Sequence, residues 1–559
     1  MRRRWRHWLS SKVEFMHHQL SPQDAQFLYA ETEHNLTHVT SVSIYDPSTA
    51  PGGAVRYQDI VAHVGERLAY NPLFFRRLLR LPLELDYPYW IEDEHFDLES
   101  HMQRARLPEP GDWGQFCMHM ARYHSRPLDM RRPPWEILVL EGLDNVEGLA
   151  RGCYAIAIKI HHAAVDGAAL MRFLASLGDA DNRGTPLIAL QTPEIRGAEL
   201  PGLPALLSRA VRNNLGSPLR IARTLARAAP SLARAAQGAL AGGRGKNLAP
   251  ATRFNAALSP HKVFGARDVS LDHLKRIRTL HPAVTVNDAV LAVCSGALRR
   301  YLLAHDELPG QSLIAWVPIN ARARGAAADD GLGNRTDDRL GNDIAAMTTV
   351  LFTDEEDALT RLKRIQGATR ASKAARAGVS ARLMTDVTRH LPAATQALSS
   401  RLLLRGGAAA RLCNLFISNV PGPQVPVYMN GALMVRSVGL APLADGMGLF
   451  IATPSYADQM SFNVISTREL LPDIEFFMQC LTESLAELLA LTEARATASE
   501  RRAGKRAAAA PKAAASGSKA RTGAKTRAQA QTKTATKAET GASTPSGAGP
   551  GARGRRGPV

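Results

Sequence analysis

No run of this 559-residue chain reaches the roughly 18 uninterrupted apolar residues that cross a bilayer, so no membrane-spanning helix is expected. The first residues, Met1-Arg-Arg-Arg-Trp-Arg-His-Trp-Leu9, are basic but lack the apolar core of a secretory signal, and export is not expected. Cysteine is scarce. Cys117, Cys153, Cys294, Cys413 and Cys480 are odd in number and form no CxxC pair. That speaks against a disulfide framework or a zinc knuckle and suits the reduced thiols of a cytosolic protein. Acid is missing from two places. Leu200 to Arg267 holds 11 Lys/Arg and no Asp or Glu; Arg501 to the end holds 14 Lys/Arg against Glu539 alone. The formal net charge is +18, so these two segments carry more than all of it and the remainder is mildly acidic.

A chain of this length exceeds what one hydrophobic core serves, so two domains with extensions are expected. Residues 1–20 read as a basic leader. A first domain over 21–183 starts where Ser21 and Pro22 supply a helix start. A connector over 184–250 is rich in proline and carries Arg220, Arg223, Arg227 and Arg234 on basic amphipathic helix. A second domain follows over 251–491. Residues 492–559 read as a disordered tail: beyond Glu500 no aromatic residue occurs, and Ala, Lys, Arg, Thr and Gly cannot bury enough apolar surface to offset ordering entropy. No internal repeat stands out.

The most informative stretch is His161-His162-Ala-Ala-Val-Asp166-Gly167. Tyr154–Ile160 before it alternates large and small residues, as a strand does. After it, Leu170, Phe173, Leu174 and Leu177 fall at helical spacing. Two histidines therefore stand where a strand ends and a helix begins, an edge at which a rigid scaffold can hold a reactive side chain. Continuing the period of two puts His162 on the face of Ile156, Ile158 and Ile160, turned inward, with His161 on the other. An imidazole there can act as a general base at neutral pH. A metal site is the rival chemistry, but neighbouring strand residues point apart and no Cys or further His lies nearby at ligand spacing. Core histidines with no chemistry are the plain reading. Elsewhere, Trp135 reads as a strand anchor. Asn287 and Asp288 precede an apolar helical run, where either capping or a place in the site would explain them.

The histidine stretch resembles the HHxxxDG motif of the CoA-dependent acyltransferase superfamily, which includes chloramphenicol acetyltransferase-like enzymes, peptide-synthetase condensation domains and bacterial wax ester synthase/diacylglycerol acyltransferases. Further segments follow in the family's order. Pro133-Pro134-Trp135-Glu136 resembles its PLW-E motif, with Pro134 in place of leucine, and Asn287-Asp288 its ND motif. Trp316-Val-Pro-Ile-Asn320-Ala-Arg322 resembles VPxSxR, with Asn320 where serine is common, and Gly341-Asn342 a GN segment. Ser418-Asn419-Val-Pro-Gly-Pro423 matches SNVPGP, and Pro472-Asp473 precedes the last helix. The ordered set points to the wax ester synthase/diacylglycerol acyltransferase branch.

That resemblance implies a chloramphenicol acetyltransferase-like α/β fold: two pseudo-equivalent domains with a tunnel between them. It assigns the proton acceptor to His162, with His161 and Asp166 beside it; Asp166 would organise the site by pairing with an arginine, for which Arg322 is the candidate. Gly167 would let the helix pack close, and Asn287, Asp288, Asn320, Ser418 and Asn419 would bind substrate or shape the site, Asn320 as a possible oxyanion donor. Neither metal nor cofactor is implied; acyl-CoA is a co-substrate that meets diacylglycerol or a long-chain alcohol in a ternary complex. Two rivals stand: a related enzyme with another alcohol or amine acceptor, and a non-catalytic lipid-body or nucleic-acid-binding protein. The expected location is cytoplasmic, peripheral to an anionic membrane or lipid body, with nucleic-acid contact by the tail possible.

Overall fold

In the computed structural model the chain is described over residues 18–165, 167–189, 202, 204–215, 248–320, 344–376, 391–405 and 412–509. Two six-stranded sheets form its frame. The first is built on β2 (His38–Asp46), β5 (Met102–Arg106), β6 (Trp135–Leu143) and β7 (Cys153–His161), joined by β12 (Tyr428–Met429) and β13 (Ala432–Leu440) in the order β12-β13-β2-β7-β6-β5. The second takes β8 (Lys262–Ser270), β9 (Ile314–Asn320), β10 (Ile344–Val350), β11 (Leu415–Val420), β14 (Leu449–Tyr456) and β15 (Gln459–Thr467) in the order β10-β9-β11-β14-β15-β8. A small sheet of β1 (His18–Gln19), β3 (Arg76–Leu79) and β4 (Tyr89–Glu92) flanks the first.

Strand β7 lies between β2 and β6 and is buried along its whole length. Its alternation explains why. Tyr154, Ile156, Ile158 and Ile160 pack against Ile60, Val64 and Leu68 of α2 (Tyr57–Leu68) and Phe173 and Leu177 of α4 (Gly167–Leu177). On the opposite face, small Ala155 and Ala157 admit Phe116 and Met120 of α3 (Trp113–His124) and, from the second sheet, Phe264, Ala266 and Ile465. That second face is the seam between the sheets. Fully burying each isoleucine is worth about 1.5–3 kcal/mol, so this strand fixes the position of whatever follows it. The far face of the second sheet is covered by α6 (Leu271–Ile277), α7 (Val286–Ala304), α8 (Ala358–Arg376) and α10 (Ile474–Ala509), while α9 (Ala393–Arg405) sets Ala393 and Ala397 in a separate cluster with Ala25 and Leu28.

The two halves of the sequence are interlaced. After β11 the chain turns at Pro421-Gly422-Pro423, crosses to the first sheet, adds β13 beside β2, and returns as β14. The turn needs glycine: a Cβ on Gly422 would stand 2.0 Å from the Ser455 carbonyl oxygen. This exchange has no counterpart in the division into 21–183 and 251–491, because a strand pairing hundreds of residues away leaves no local signal.

Ser21 caps α1 (Pro22–Tyr29) as expected, its hydroxyl accepting from the Asp24 amide. In the connector, a helix at 204–215 (α5) sets Leu206 and Ala210 against Leu81, Tyr89 and Ile91. Arg220, Arg223, Arg227 and Arg234 lie outside the described residues, as does the tail from 510. The tail's expected start at 492 needs correction, since α10 runs on to Ala509. Alanine is the best helix former, and the helix is held where the boundary was drawn: Glu493 pairs with Arg276 at 3.2 Å, and the Arg495 guanidinium donates to the carbonyls of Thr279 and Leu280.

Candidate active site

The seven-residue stretch is built as a strand end, a turn and a helix start. Strand β7 stops at His161 because its partner β2 begins at His38, and these two are the last cross-strand pair. The period of two therefore ends one residue earlier than the sequence suggests. His162 belongs to the turn and does not continue the face of Ile156, Ile158 and Ile160.

The two imidazoles have separate environments. His161 is 1% exposed. Its Nδ1 accepts from the Ala163 amide at 3.1 Å, so in the neutral ring the proton sits on Nε2. Nε2 faces the Thr37 hydroxyl and the Glu31 carboxylate, each at 3.2 Å. Thr37 in turn donates its hydroxyl to the Phe27 carbonyl at 2.9 Å and its amide to Glu31 at 3.0 Å. Burial pushes the Glu31 carboxyl up, but hydrogen bonds from His161 and Thr37 outweigh it and hold the group below its ordinary value. Both nitrogens of His161 are engaged, which leaves no lone pair for a metal or for a substrate proton. His162, by contrast, is half-buried. Its amide donates to the Thr37 carbonyl at 3.0 Å, and its ring lies parallel to Phe27, with centroids 4.1 Å apart. Stacking engages a face of the ring.

The scaffold around this turn is tight. Trp135 is buried at the start of β6; its indole donates to the Phe74 carbonyl at 2.8 Å and stacks on His101. Gly167 opens α4. A Cβ on Gly422 would lie 3.9 Å from Met171 of α4, so the Pro-Gly-Pro turn after Ser418 and Asn419 abuts the motif's own helix. Ser418 and Asn419 are half-buried on β11, with the Ser418 carbonyl accepting from the Thr453 hydroxyl.

A model of the wax ester synthase/diacylglycerol acyltransferase catalytic domain matches residues 20–290, and one of the family's C-terminal domain matches 340–489. Two proteins of Mycobacterium tuberculosis that carry the name diacylglycerol O-acyltransferase are similar over most of their length. Rv3740c is 32% identical over 84% of this chain and 99% of its own, and Rv1760 is 30% identical over 86% and 92%. The chain belongs to the wax ester synthase/diacylglycerol acyltransferase family. It is an O-acyltransferase. The wax ester synthase/diacylglycerol acyltransferase of Marinobacter aquaeolei superposes with a TM-score of 0.60 at 27% identity, covering 85% of this chain and 99% of that one. The chloramphenicol acetyltransferase-like α/β fold is thus the one this acyltransferase has.

Other expected site residues fare differently in this family member. Asp166, Arg322 and the Gly341-Asn342 segment lie outside the described residues. Asn320 ends β9 opposite Ile344, and its side chain is likewise outside them. Neither Asn287 nor Asp288 is the cap of α7. Thr285 is, with its hydroxyl accepting from the Asp288 amide. Asp288 Oδ2 accepts from the Thr285 amide and hydroxyl, and Oδ1 from the Thr369 hydroxyl at 2.7 Å. With both oxygens spent in this way, Asp288 is the buried third-position partner of the Thr285 cap; Asn287 beside it is half-buried.

Glu31, Thr37 and Phe27 were not legible as site residues, since Phe-Leu-Tyr and Glu-Thr-Glu carry no catalytic spacing. Glu31→Gln should weaken the fold by about 1.5–3 kcal/mol at pH 7, the range for a hydrogen bond to a charged group. A carboxyl held below its ordinary value contributes stability that is present above the unfolded pKa, about 4.3. That contribution disappears as pH falls through the lower folded value. The gap between wild type and Glu31→Gln should therefore be present in thermal melts at pH 7 and narrow below about pH 4. Superimposable melts at pH 7 would show that Glu31 does not brace His161.

Proposed function

We propose that this enzyme transfers a fatty acyl group from acyl-CoA directly to the hydroxyl of diacylglycerol or of a long-chain alcohol, with His162 as the general base. One observation carries the assignment: His161 has both nitrogens committed to bracing the protein, and the motif's half-exposed imidazole is His162, in the turn that follows the rigid strand. His162 takes the hydroxyl proton as the alcohol oxygen attacks the thioester carbon. When the tetrahedral intermediate collapses, the C–S bond breaks and the proton passes to the departing thiolate, giving ester and free CoA. Atoms balance without an acyl-enzyme and without a cofactor. General base catalysis supplies on the order of 10² to 10⁴ in rate, and binding both substrates in register supplies the remainder.

The deciding assay is CoA release from palmitoyl-CoA with diacylglycerol, with hexadecanol and with no acceptor. Acceptor-dependent release supports the reading, and the ratio of rates sets the preferred alcohol. Release with amines alone would favour the related enzyme. No release with any acceptor, together with tight binding of DNA, would favour a non-catalytic role.

The product is insoluble in water, and no helix among the described residues is long and apolar enough to cross a membrane. Docking on a lipid surface would bring the enzyme to such a product, and α5 offers a face for it. While Leu206 and Ala210 face inward, Leu207, Val211 and Leu215 are exposed at fourth-residue spacing. The turn that carries Leu83, which is 87% exposed, meets the same helix, the Leu85 carbonyl taking a hydrogen bond from Asn214. Arg209 and Arg212 are exposed on the same helix. An apolar stripe with arginines suits an anionic lipid surface. Binding to vesicles should require anionic lipid, weaken with salt and drop when Leu207 and Val211 both become Glu. Equal binding to neutral vesicles would remove this surface from consideration.

A further inference from the structure

The seam between the two large sheets changes character along its length. At one end Val42, Ile44, Ala155 and Ala157 meet Phe264, Ala266 and Ile465, all apolar. Further along the same strand faces the side chains turn polar: Thr40 and His38 on β2, Lys159 and His161 on β7, Lys262 on β8 and Thr467 on β15. The strand period of two keeps each on the seam side. All six are buried, none more than 7% exposed.

Most of this row is satisfied internally. The His38 Nε2–H donates to the His124 carbonyl at 2.7 Å, and His124 is held between the Thr40 hydroxyl at 2.8 Å and the Ala441 carbonyl at 3.2 Å. Burial first, then neighbouring positive charge, keeps both imidazoles well below their ordinary pKa, so they are neutral. The Lys159 ammonium pairs with Glu136 at 2.6 Å and donates to the carbonyls of Tyr123 and Arg126. Two groups are different. Lys262 Nζ and Thr467 Oγ1 are buried with no hydrogen-bond partner among the described residues. They are also direct cross-strand partners on β8 and β15. Burial pushes the Lys262 amine down to about 8; the Lys159 charge acts the same way, and the Glu31 carboxylate opposes both. Glu31 is the carboxylate that braces His161, so the Lys262 amine lies within electrostatic reach of the histidine motif.

An unpaired buried ammonium beside an unpaired buried hydroxyl is costly to keep in an apolar seam. Substrate chemistry gives it a purpose. We propose that Lys262 and Thr467 together bind an anionic oxygen of acyl-CoA, Lys262 by charge and Thr467 by its hydroxyl. Acyl-CoA offers that chemistry twice. Its phosphates are anionic throughout, and its thioester oxygen becomes anionic as the alcohol attacks. The inference rests on the acyl-transfer reading, but calorimetry with CoA alone tests part of it separately.

The test compares wild type with Lys262→Met, Lys262→Arg and Thr467→Val in the full chain. Thermal melts, CoA titration calorimetry and steady-state kinetics are read with palmitoyl-CoA and with the palmitoyl thioester of N-acetylcysteamine, which has no phosphate. Lys262→Met should melt at or above the wild-type temperature, because it removes an uncompensated buried charge, yet lose activity by about tenfold or more. Lys262→Arg should recover part of that loss, and Thr467→Val should show a smaller defect of the same kind. If the oxygen is a phosphate, CoA affinity falls and the defect vanishes with the short thioester. If it is the reacting oxygen, CoA affinity is unchanged and kcat falls with both thioesters. Wild-type kcat, KM and CoA affinity in Lys262→Met would overturn the proposal, as would a loss of activity matched by a lower melting temperature. Wild type that binds CoA but transfers no acyl group would sink the acyl-transfer reading, leaving the calorimetric comparison to decide the phosphate arm. Wild type that neither binds CoA nor releases it would sink both.

Discussion

His162→Ala should lower acyl transfer by about 10² to 10⁴ with either acceptor, the range removed with a general base, while the protein stays folded. The ring is half-exposed and its stacking on Phe27 is worth about 0.5–1.5 kcal/mol, too little to unfold a domain of this size. CoA release near the wild-type rate from a folded His162→Ala protein would remove the mechanism. His161→Ala is expected to behave differently. It deletes the partner of a half-buried carboxylate and of the Ala163 amide, so it should lose stability and activity together. A split of that kind, one histidine catalytic and the other bracing, shows as a melt that moves for His161→Ala and stays for His162→Ala.

The second large effect is expected at Arg67→Ala, at a loss of about 3–5 kcal/mol, the cost of leaving one member of a buried ion pair alone. Arg67 on α2 donates to Asp179, just past the end of α4, and both side chains are almost wholly buried. Burial holds the Asp179 carboxyl above its ordinary value, with His63 and Arg67 pulling it back. Asp179 also exchanges two backbone hydrogen bonds with Tyr428, at 2.7 and 2.9 Å. The pair thus lies where the second half of the sequence joins the first sheet. Replacing both residues together, Arg67→Met with Asp179→Leu, should restore much of the loss. An Arg67→Ala protein that melts with wild type would show the pair to be dispensable.

What the sequence disclosed about this site follows physical rules. The β7 alternation and the α4 spacing are local patterns, and both elements appear where the periodicity places them. Where β7 stops is not local, because it is set by β2 beginning at His38, and that is why the period of two does not extend to His162. Glu31 and Thr37 meet His161 across more than a hundred residues of chain, in a segment whose composition is that of any surface helix and loop. At α7 the chemistry of capping was legible but not the choice among Thr285, Asn287 and Asp288, since each has a side-chain oxygen that can accept from a helix amide. Lys262 gave no signal either. A lysine opening a strand is ordinary until the first sheet is known to close over it.

The interlaced strand β13 bears on how this enzyme is made. Thr40 pairs with Leu440, so the edge of β2 waits for four hundred residues of synthesis before its neighbour exists. At ribosomal speeds of roughly 5–20 residues per second that wait is on the order of tens of seconds. Throughout it the nascent first sheet presents an open row of backbone donors and acceptors, which other chains can join. A gene cut in the 184–250 connector should therefore give an amino-terminal fragment that aggregates alone and becomes soluble when the carboxyl-terminal fragment is made alongside it.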